Sequence, residues 1–421
     1  MHILIVGLNF APELTGIGKY TGEMAAWFAR RGHRITVITS PPYYPAWKIA
    51  SGYRSWRWQA ESWEGCDVIR CPIYVPRRVT GLRRLAHLSS FALTSAVPAL
   101  YQALRGRPDM VLAIAPSLLA APIALAAGRL TSAKTWLHVQ DLEIEAAFEL
   151  GILKNRQAMN RVLSAERRLL SRFDLVSTIS PKMLEAIERK GVLKERLMLL
   201  PNWVDTSRIF PLKTPEVFRR ELGISAGRCI ALYSGSMGQK HGLEVIIKAA
   251  RESLSFDKPT PLFVLAGDGP ARQGLEEDAK DLPNVIFLPL QPEERFNELL
   301  NAADIHLLPQ RLDAADLVMP SKLGAIFAVG KPVIATVLPE SQIAIAVANG
   351  GVIVPPENPT ALAAAVRYLA DDPDRRHRMG SAALEIAGKW NASVVLQSAE
   401  ERLLQRCQNP GPPGVARGAA L

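Results

Sequence analysis

His2-Ile-Leu-Ile-Val-Gly7 leads into Gly16-Ile-Gly18-Lys19, and Cys229-Ile-Ala-Leu-Tyr-Ser234 leads into Gly235-Ser-Met-Gly238-Gln-Lys240-His-Gly242. Each is an apolar run that breaks into a glycine loop and then opens a helical pattern. Such a loop presents backbone N–H groups and the positive end of a helix, where a phosphate or a sugar oxygen can sit. Two of these units in one chain predict an α/β protein with two Rossmann-like, doubly wound domains facing each other across a cleft. The interval from Gly7 to Gly16 does not fit G-x-G-x-x-G, so the first unit is not a dinucleotide fingerprint.

Working outward, short apolar runs alternate with helical patterns nearly throughout, as in a parallel sheet covered on both faces. Strands are expected at 2–6, 34–39, 67–71, 110–115, 135–139 and 174–179 in the first half. In the second half they are expected at 229–234, 262–266, 285–288, 304–308, 332–336 and 351–354. The resulting division is 1–205 for an N-terminal domain, 206–390 for a C-terminal domain and 408–421 for a disordered tail. A final helix over 391–407 is expected to pack back on the first domain. The uncharged stretch 110–128 is divided by Pro116-Ser117, and reads as a buried strand and helix, not a membrane span.

The 421 residues are 48% hydrophobic and 21% charged, with a formal net charge of +10. That is an ordinary composition for a globular chain with two to three cores. Residues 1–110 carry fourteen Lys/Arg against six Asp/Glu. Arg77-Arg78 and Arg83-Arg84 stand just ahead of an uncharged stretch from Leu85 to Leu104. A basic cluster beside an apolar segment suits an anionic membrane surface or a phosphate-bearing acceptor. Nucleic acid is not expected as a partner, because the aromatic platforms and motifs it needs are missing. Cys66, Cys71, Cys229 and Cys407 show no metal spacing and read as reduced thiols. Met1-His2 runs straight into a strand, so no secretory leader is expected.

Four segments in order resemble the retaining glycosyltransferases of family 4, which have the GT-B fold. They are Asn9-Phe-Ala-Pro12-Glu-Leu-Thr-Gly16-Ile-Gly18-Lys-Tyr20, Ser234-Gly-Ser-Met-Gly-Gln-Lys240-His-Gly242-Leu-Glu244, Val264-Leu-Ala-Gly267-Asp-Gly269-Pro270, and Met319-Pro320-Ser321-Lys322-Leu with Gly330-Lys-Pro332-Val. Pro41-Pro-Tyr-Tyr-Pro45, Arg70-Cys-Pro-Ile-Tyr-Val-Pro76 and Ala314-Ala-Asp316 resemble the exopolysaccharide-assembling members in particular. The resemblance implies transfer of fucose from GDP-fucose to a polyprenyl-diphosphate-linked saccharide, in synthesis of a colanic-acid-like polymer. It also implies a cytoplasmic enzyme, peripheral on the inner membrane face through the basic patch, with no metal and no cofactor beyond its nucleotide sugar.

Breaking the bond from the anomeric carbon to a nucleoside diphosphate builds negative charge on the β-phosphate. Cations and N–H donors aimed there stabilise the transition state. Lys240 and Lys322 are the expected cations, with Gly235, Ser236, Gly238, Gly267, Asp316 and Ser321 around the donor and Leu290 near its base. Gly16 and Gly18 would let the backbone approach the donor phosphate or the acceptor closely. Many family members place Arg and Lys where this chain has Ser236 and His241, and a glutamate pair where it has Leu317 and Ala325. Asp313 and Asp316 stand close enough in sequence to supply the missing sugar contact. His138 occupies a position like that of a family histidine facing the reacting sugar, and Asp141 and Glu143 follow it on the acceptor side. The resemblance favours front-face substitution, in which the leaving β-phosphate takes the acceptor proton. Asp372-Pro373-Asp374 spells Asp-x-Asp but reads as a helix cap, not a metal site. A nucleotide-sugar epimerase of the same fold, or a silent sugar-nucleotide-binding subunit, is the alternative.

Overall fold

The computed structural model describes residues 1–13, 16–78, 80–115, 118–141, 156–214, 216–225, 227–238, 241–255, 259–312 and 321–408. The chain divides into two compact units, Met1–Pro201 with the C-terminal residues from Leu396, and Asn202–Val395.

The first unit is built on β1 (His2–Gly7), β2 (Arg34–Thr39), β3 (Gln59–Trp63), β4 (Cys66–Arg70), β5 (Met110–Ala115), β6 (Lys134–Val139), β7 (Leu175–Thr178) and β8 (Leu197–Leu199). Their order is β3-β4-β2-β1-β5-β6-β7-β8. All neighbours pair parallel except β3, which runs antiparallel to β4. β1 and β5 are buried at every position because helices cover both faces, which is why they read as unbroken apolar runs. The polar exception, His2, is satisfied: its ring nitrogens lie 3.0 Å from the Gly106 carbonyl and 3.0 Å from Thr36 Oγ1.

Two strands add to the six expected here. β3 alternates half-buried and exposed residues at the sheet edge, and β8 has only three residues. The first lacks the continuous apolar run that marks a central strand, and the second is apolar but too short to stand out.

After α1 (Gly16–Arg30), the 26-residue α2 (Gly81–Gly106) takes in the whole uncharged stretch. His87, Phe91, Ser95, Ala99 and Ala103, four residues apart, form its buried stripe. Leu82, Leu85, Leu93, Val97, Tyr101 and Leu104 are exposed. Among the described residues no helix is long and apolar enough to cross a membrane.

The second unit carries β9 (Ile230–Ser234), β10 (Leu262–Ala266), β11 (Val285–Leu288), β12 (Ile305–Pro309), β13 (Val333–Thr336) and β14 (Gly351–Val354). Their order, β11-β10-β9-β12-β13-β14, is that of the dinucleotide-binding fold, with the chain reversing between β9 and β12. Ligands of such sheets bind at that reversal, beyond the carboxyl ends of the strands. The helix Pro373–Lys389 starts at Asp372, whose side chain accepts a 2.8 Å bond from Arg375 N. This is a cap with proline in the first turn, the expected reading of Asp372-Pro373-Asp374.

The last helix runs Ala392–Gln408, and from Leu396 on it belongs to the first unit. There Glu400, 5% exposed, lies 2.7 Å from His33 Nε2 and 3.2 Å from Arg31 Nε. Arg402 donates to the Leu197 carbonyl at 2.7 Å. The tail beyond Gln408 lies outside the described residues.

Candidate functional site

In the second unit, the loops after β9 and β10 lie backbone against backbone. Gly235 N donates to the Ala266 carbonyl at 2.9 Å and Met237 N to the Asp268 carbonyl at 2.8 Å. A Cβ on Gly267 would stand 1.9 Å from the Gly235 carbonyl oxygen, and one on Gly269 2.6 Å from that of Met237. Both glycines also hold positive φ, +147° and +153°, which side chains rarely adopt. Arg272 braces the second loop by donating to the carbonyls of Gly267 at 2.6 Å and Leu288 at 3.0 Å.

Lys322, in the first turn of the helix Ser321–Ala328, reaches this paired loop. Its ammonium lies 4.2 Å from the Tyr233 ring centroid and would be 3.7 Å from a Cβ on Gly235. The Tyr233 hydroxyl donates to the Ser236 carbonyl at 2.6 Å, tying ring, loop and lysine together. Burial pulls Lys322 from its ordinary 10.5 to about 8, and among the described residues no carboxylate pairs with it. An ammonium over an aromatic face, beside backbone N–H groups and a helix start, is a seat for an anion. Tyr233 was not expected to take part: inside an apolar strand it reads as core, and only its place next to Ser234-Gly235 hints otherwise.

The structure thus brings Gly235, Ser236, Gly267 and Lys322 together. Gly238 stands one turn on, where a Cβ would be 3.4 Å from the His241 ring. Leu290 is 72% exposed on the loop after β11. The backbone of Ser321 opens the lysine's helix. Lys240, Asp316 and Glu143 lie outside the described residues.

In the first unit, His138 sits at the carboxyl end of β6, 2% exposed, with Nδ1 2.8 Å from Ser177 Oγ. Ser177 Oγ also accepts from Trp136 Nε1 at 2.7 Å. Burial lowers His138 to about 4, so the ring is neutral at physiological pH. Asp141 follows the strand and lines a cavity of about 190 Å³ together with Gly16, Tyr43, Tyr44 and Trp47. Gly16, expected against the donor phosphate or the acceptor, thus lines the same cavity as Asp141, expected on the acceptor side.

Gly18 serves a different neighbour. A Cβ there would fall 2.3 Å from Glu13 Oε2, so the glycine makes room for a carboxylate. Glu13, 5% exposed, accepts from Tyr43 N at 3.1 Å, Tyr44 N at 3.0 Å and Asn9 Nδ2 at 3.0 Å. It fixes the tyrosine segment against the loop after β1. Burial pushes its carboxyl above the ordinary range, against the pull of those donors.

Residues 15–203 match the family described as Glycosyl transferase 4-like domain, and residues 215–385 that described as Glycosyl transferases group 1. Over 378 residues the chain is 39% identical to WcaI of Escherichia coli (strain K12), named for colanic acid biosynthesis, with 87% of this chain and 91% of that one covered. Sucrose-phosphate synthase of Thermosynechococcus elongatus superposes with a TM-score of 0.71 at 19% identity, covering 96% of this chain and 98% of that one. HepE of Anabaena, solved with UDP, gives 0.68 at 16% identity, covering 96% and 100%. At such identities these two structures speak for the fold alone, which is GT-B.

Proposed function

The chain belongs to the group 1 glycosyltransferases of family 4, and we propose that it moves fucose from GDP-fucose onto a polyprenyl-diphosphate-linked saccharide of an exopolysaccharide repeat. The observation that carries a transfer from a nucleoside diphosphate is the seat formed by Lys322, Tyr233 and the two interlocked glycine loops. The similarity to WcaI, named for colanic acid biosynthesis, supports the choice of polymer.

In this reaction the bond from the anomeric carbon to the β-phosphate oxygen breaks while the acceptor oxygen bonds to the same face of that carbon. The departing β-phosphate takes the acceptor's proton. Charge grows on the diphosphate as the bond breaks, so the Lys322 ammonium and the loop amides hold the transition state more strongly than the bound donor. Charge-assisted hydrogen bonds of this kind contribute about 1.5–3 kcal/mol each. Lys240, Asp316 and Ser321 join the donor side of this proposal, and His138, Asp141 and Glu143 the side of the reacting sugar and acceptor.

The acceptor's lipid places the reaction at a membrane surface. Arg77, Arg78, Arg83 and Arg84 are all exposed, and Leu82 and Leu85 beside them are 83% and 53% exposed. Arginines next to exposed leucines favour an anionic inner leaflet, at about 1 kcal/mol per basic residue.

The test is radiolabelled GDP-fucose supplied with polyprenyl-diphosphate-linked glucose. Label in the lipid fraction is the expected result. Interconversion of free sugar nucleotide would make the protein an epimerase, and donor binding without turnover would make it a silent subunit.

A further inference from the structure

We propose that the cavity of the first unit seats one pyranose ring of the acceptor, and that His87 Nε2 accepts a hydrogen bond from a hydroxyl of that ring. The proposal deepens the transferase reading and rests on it for the word acceptor.

His87 is 1% exposed and lines the cavity from α2. Its Nδ1 lies 2.6 Å from the Tyr74 carbonyl. A carbonyl can only accept, so Nδ1 carries the hydrogen of the neutral ring and Nε2 is a bare lone pair. Burial lowers the ring's pKa and keeps it neutral. Nε2 is buried and has no hydrogen-bond partner among the described residues. Buried acceptors are rarely left so, because an unmet one is costly. The site therefore calls for a donor from outside the protein.

Its surroundings narrow the choice. The Tyr43 ring meets His87 edge-on at 4.8 Å and the Trp47 ring stands 5.3 Å from it. Tyr44 approaches Gly16, where a Cβ would be 3.7 Å from its ring. These aromatic walls offer flat faces to the C–H side of a sugar. Asp141 and Arg84 add a carboxylate and a guanidinium to the lining. The lone pair calls for a hydrogen, which neither an ionised phosphate nor an acyl chain has to give. A sugar has both hydroxyls and an apolar face. At about 190 Å³ the cavity is some six water volumes and below the usual range of about 300–1,000 Å³ for larger ligands, which suits one ring. Glu13, holding Tyr43 and Tyr44 by their backbone, keeps the walls in place before the ligand arrives.

The experiment compares His87→Phe and His87→Gln with the native enzyme, using polyprenyl-diphosphate-linked glucose as acceptor. The phenylalanine should raise the acceptor KM about tenfold, the worth of one hydrogen bond, and leave donor KM and donor hydrolysis unchanged. Glutamine, whose carbonyl reaches the place of Nε2, should recover most of the loss. An unchanged acceptor KM in folded His87→Phe, or a donor KM that rises in step, overturns the proposal. Where that variant fails to fold, Trp47→Ala must show the same split between the two constants. Saturation-transfer NMR with methyl glucoside and methyl galactoside reads the seat without turnover. Transfer to one of them, lost in Trp47→Ala, supports the seat even if no lipid-linked sugar is glycosylated, in which case only the reaction falls. No transfer to either from the native protein means a cavity for water alone, and sinks the proposal.

Discussion

The Lys322 ammonium rests 4.2 Å from the centre of the Tyr233 ring, on a residue two places before the glycine that its loop depends on. Desolvation leaves that ammonium close to losing its proton, at about 8. The diphosphate proposed to bind there would supply the counter-charge that the described protein does not.

Replacing Lys322 with alanine should lower kcat about 10²- to 10³-fold, the usual effect of removing one group that stabilises developing charge. Steady-state kinetics on a folded variant measure it, and an unchanged kcat would remove the lysine from the mechanism.

The same lysine sets a pH dependence. Its pKa is lowered, so the charged form is full below about 8 and is lost as the pH rises through that value. The kcat/KM for the donor, which reports the free enzyme, should therefore fall on the alkaline side with a midpoint near 8. Lys322→Arg should carry its remaining activity to higher pH, since a guanidinium does not titrate there.

Gly267→Ala should destabilise the second unit by several kcal/mol, because its Cβ would enter the Gly235 carbonyl and its φ is +147°. Gly274→Ala is the control of opposite sign. It lies in the helix Arg272–Asp278 with nothing within 4 Å of the added atom, and should stabilise by about 0.5–1 kcal/mol. Thermal melts of the two variants separate the cases.

Glu13→Ala should cost about 2–3 kcal/mol, since it strands the buried amide of Tyr43 and the part-buried amide of Tyr44. Glu13→Gln keeps an oxygen for both and should cost less than about 1 kcal/mol. Denaturant unfolding followed by tryptophan fluorescence gives both values.

Arg77→Gln with Arg78→Gln should weaken binding to vesicles containing phosphatidylglycerol by about 2 kcal/mol, roughly 30-fold, and spare turnover of a soluble acceptor. Flotation assays measure the first. Equal binding by the double variant would place membrane contact elsewhere.

Central strands were legible in the sequence because burial on both faces demands unbroken apolar runs, as in β1 and β5. The edge strand β3 was not, because exposure restores a mixed composition. Glu13 and Arg70 show a deeper limit. Arg70 is fully buried, held by Glu61 and by the carbonyls of Ser40 and Ala11, yet a charge in sequence reads as surface. Partners 30 or more residues away decide such cases. The glycine loop and Lys322, which the fold brings together, were legible as a candidate phosphate seat, whereas Tyr233 and His87 hid within core-like patterns. Their roles depend on what a neighbouring element leaves beside them.

Because the space a side chain would need at Gly267 is already taken by Gly235, neither turn can be redesigned by itself. Anyone rebuilding this part of the second unit should transplant residues 235–238 and 267–272 as one cassette, Arg272 included. Swapping either half alone would pit a foreign main chain against a native one with no slack between them.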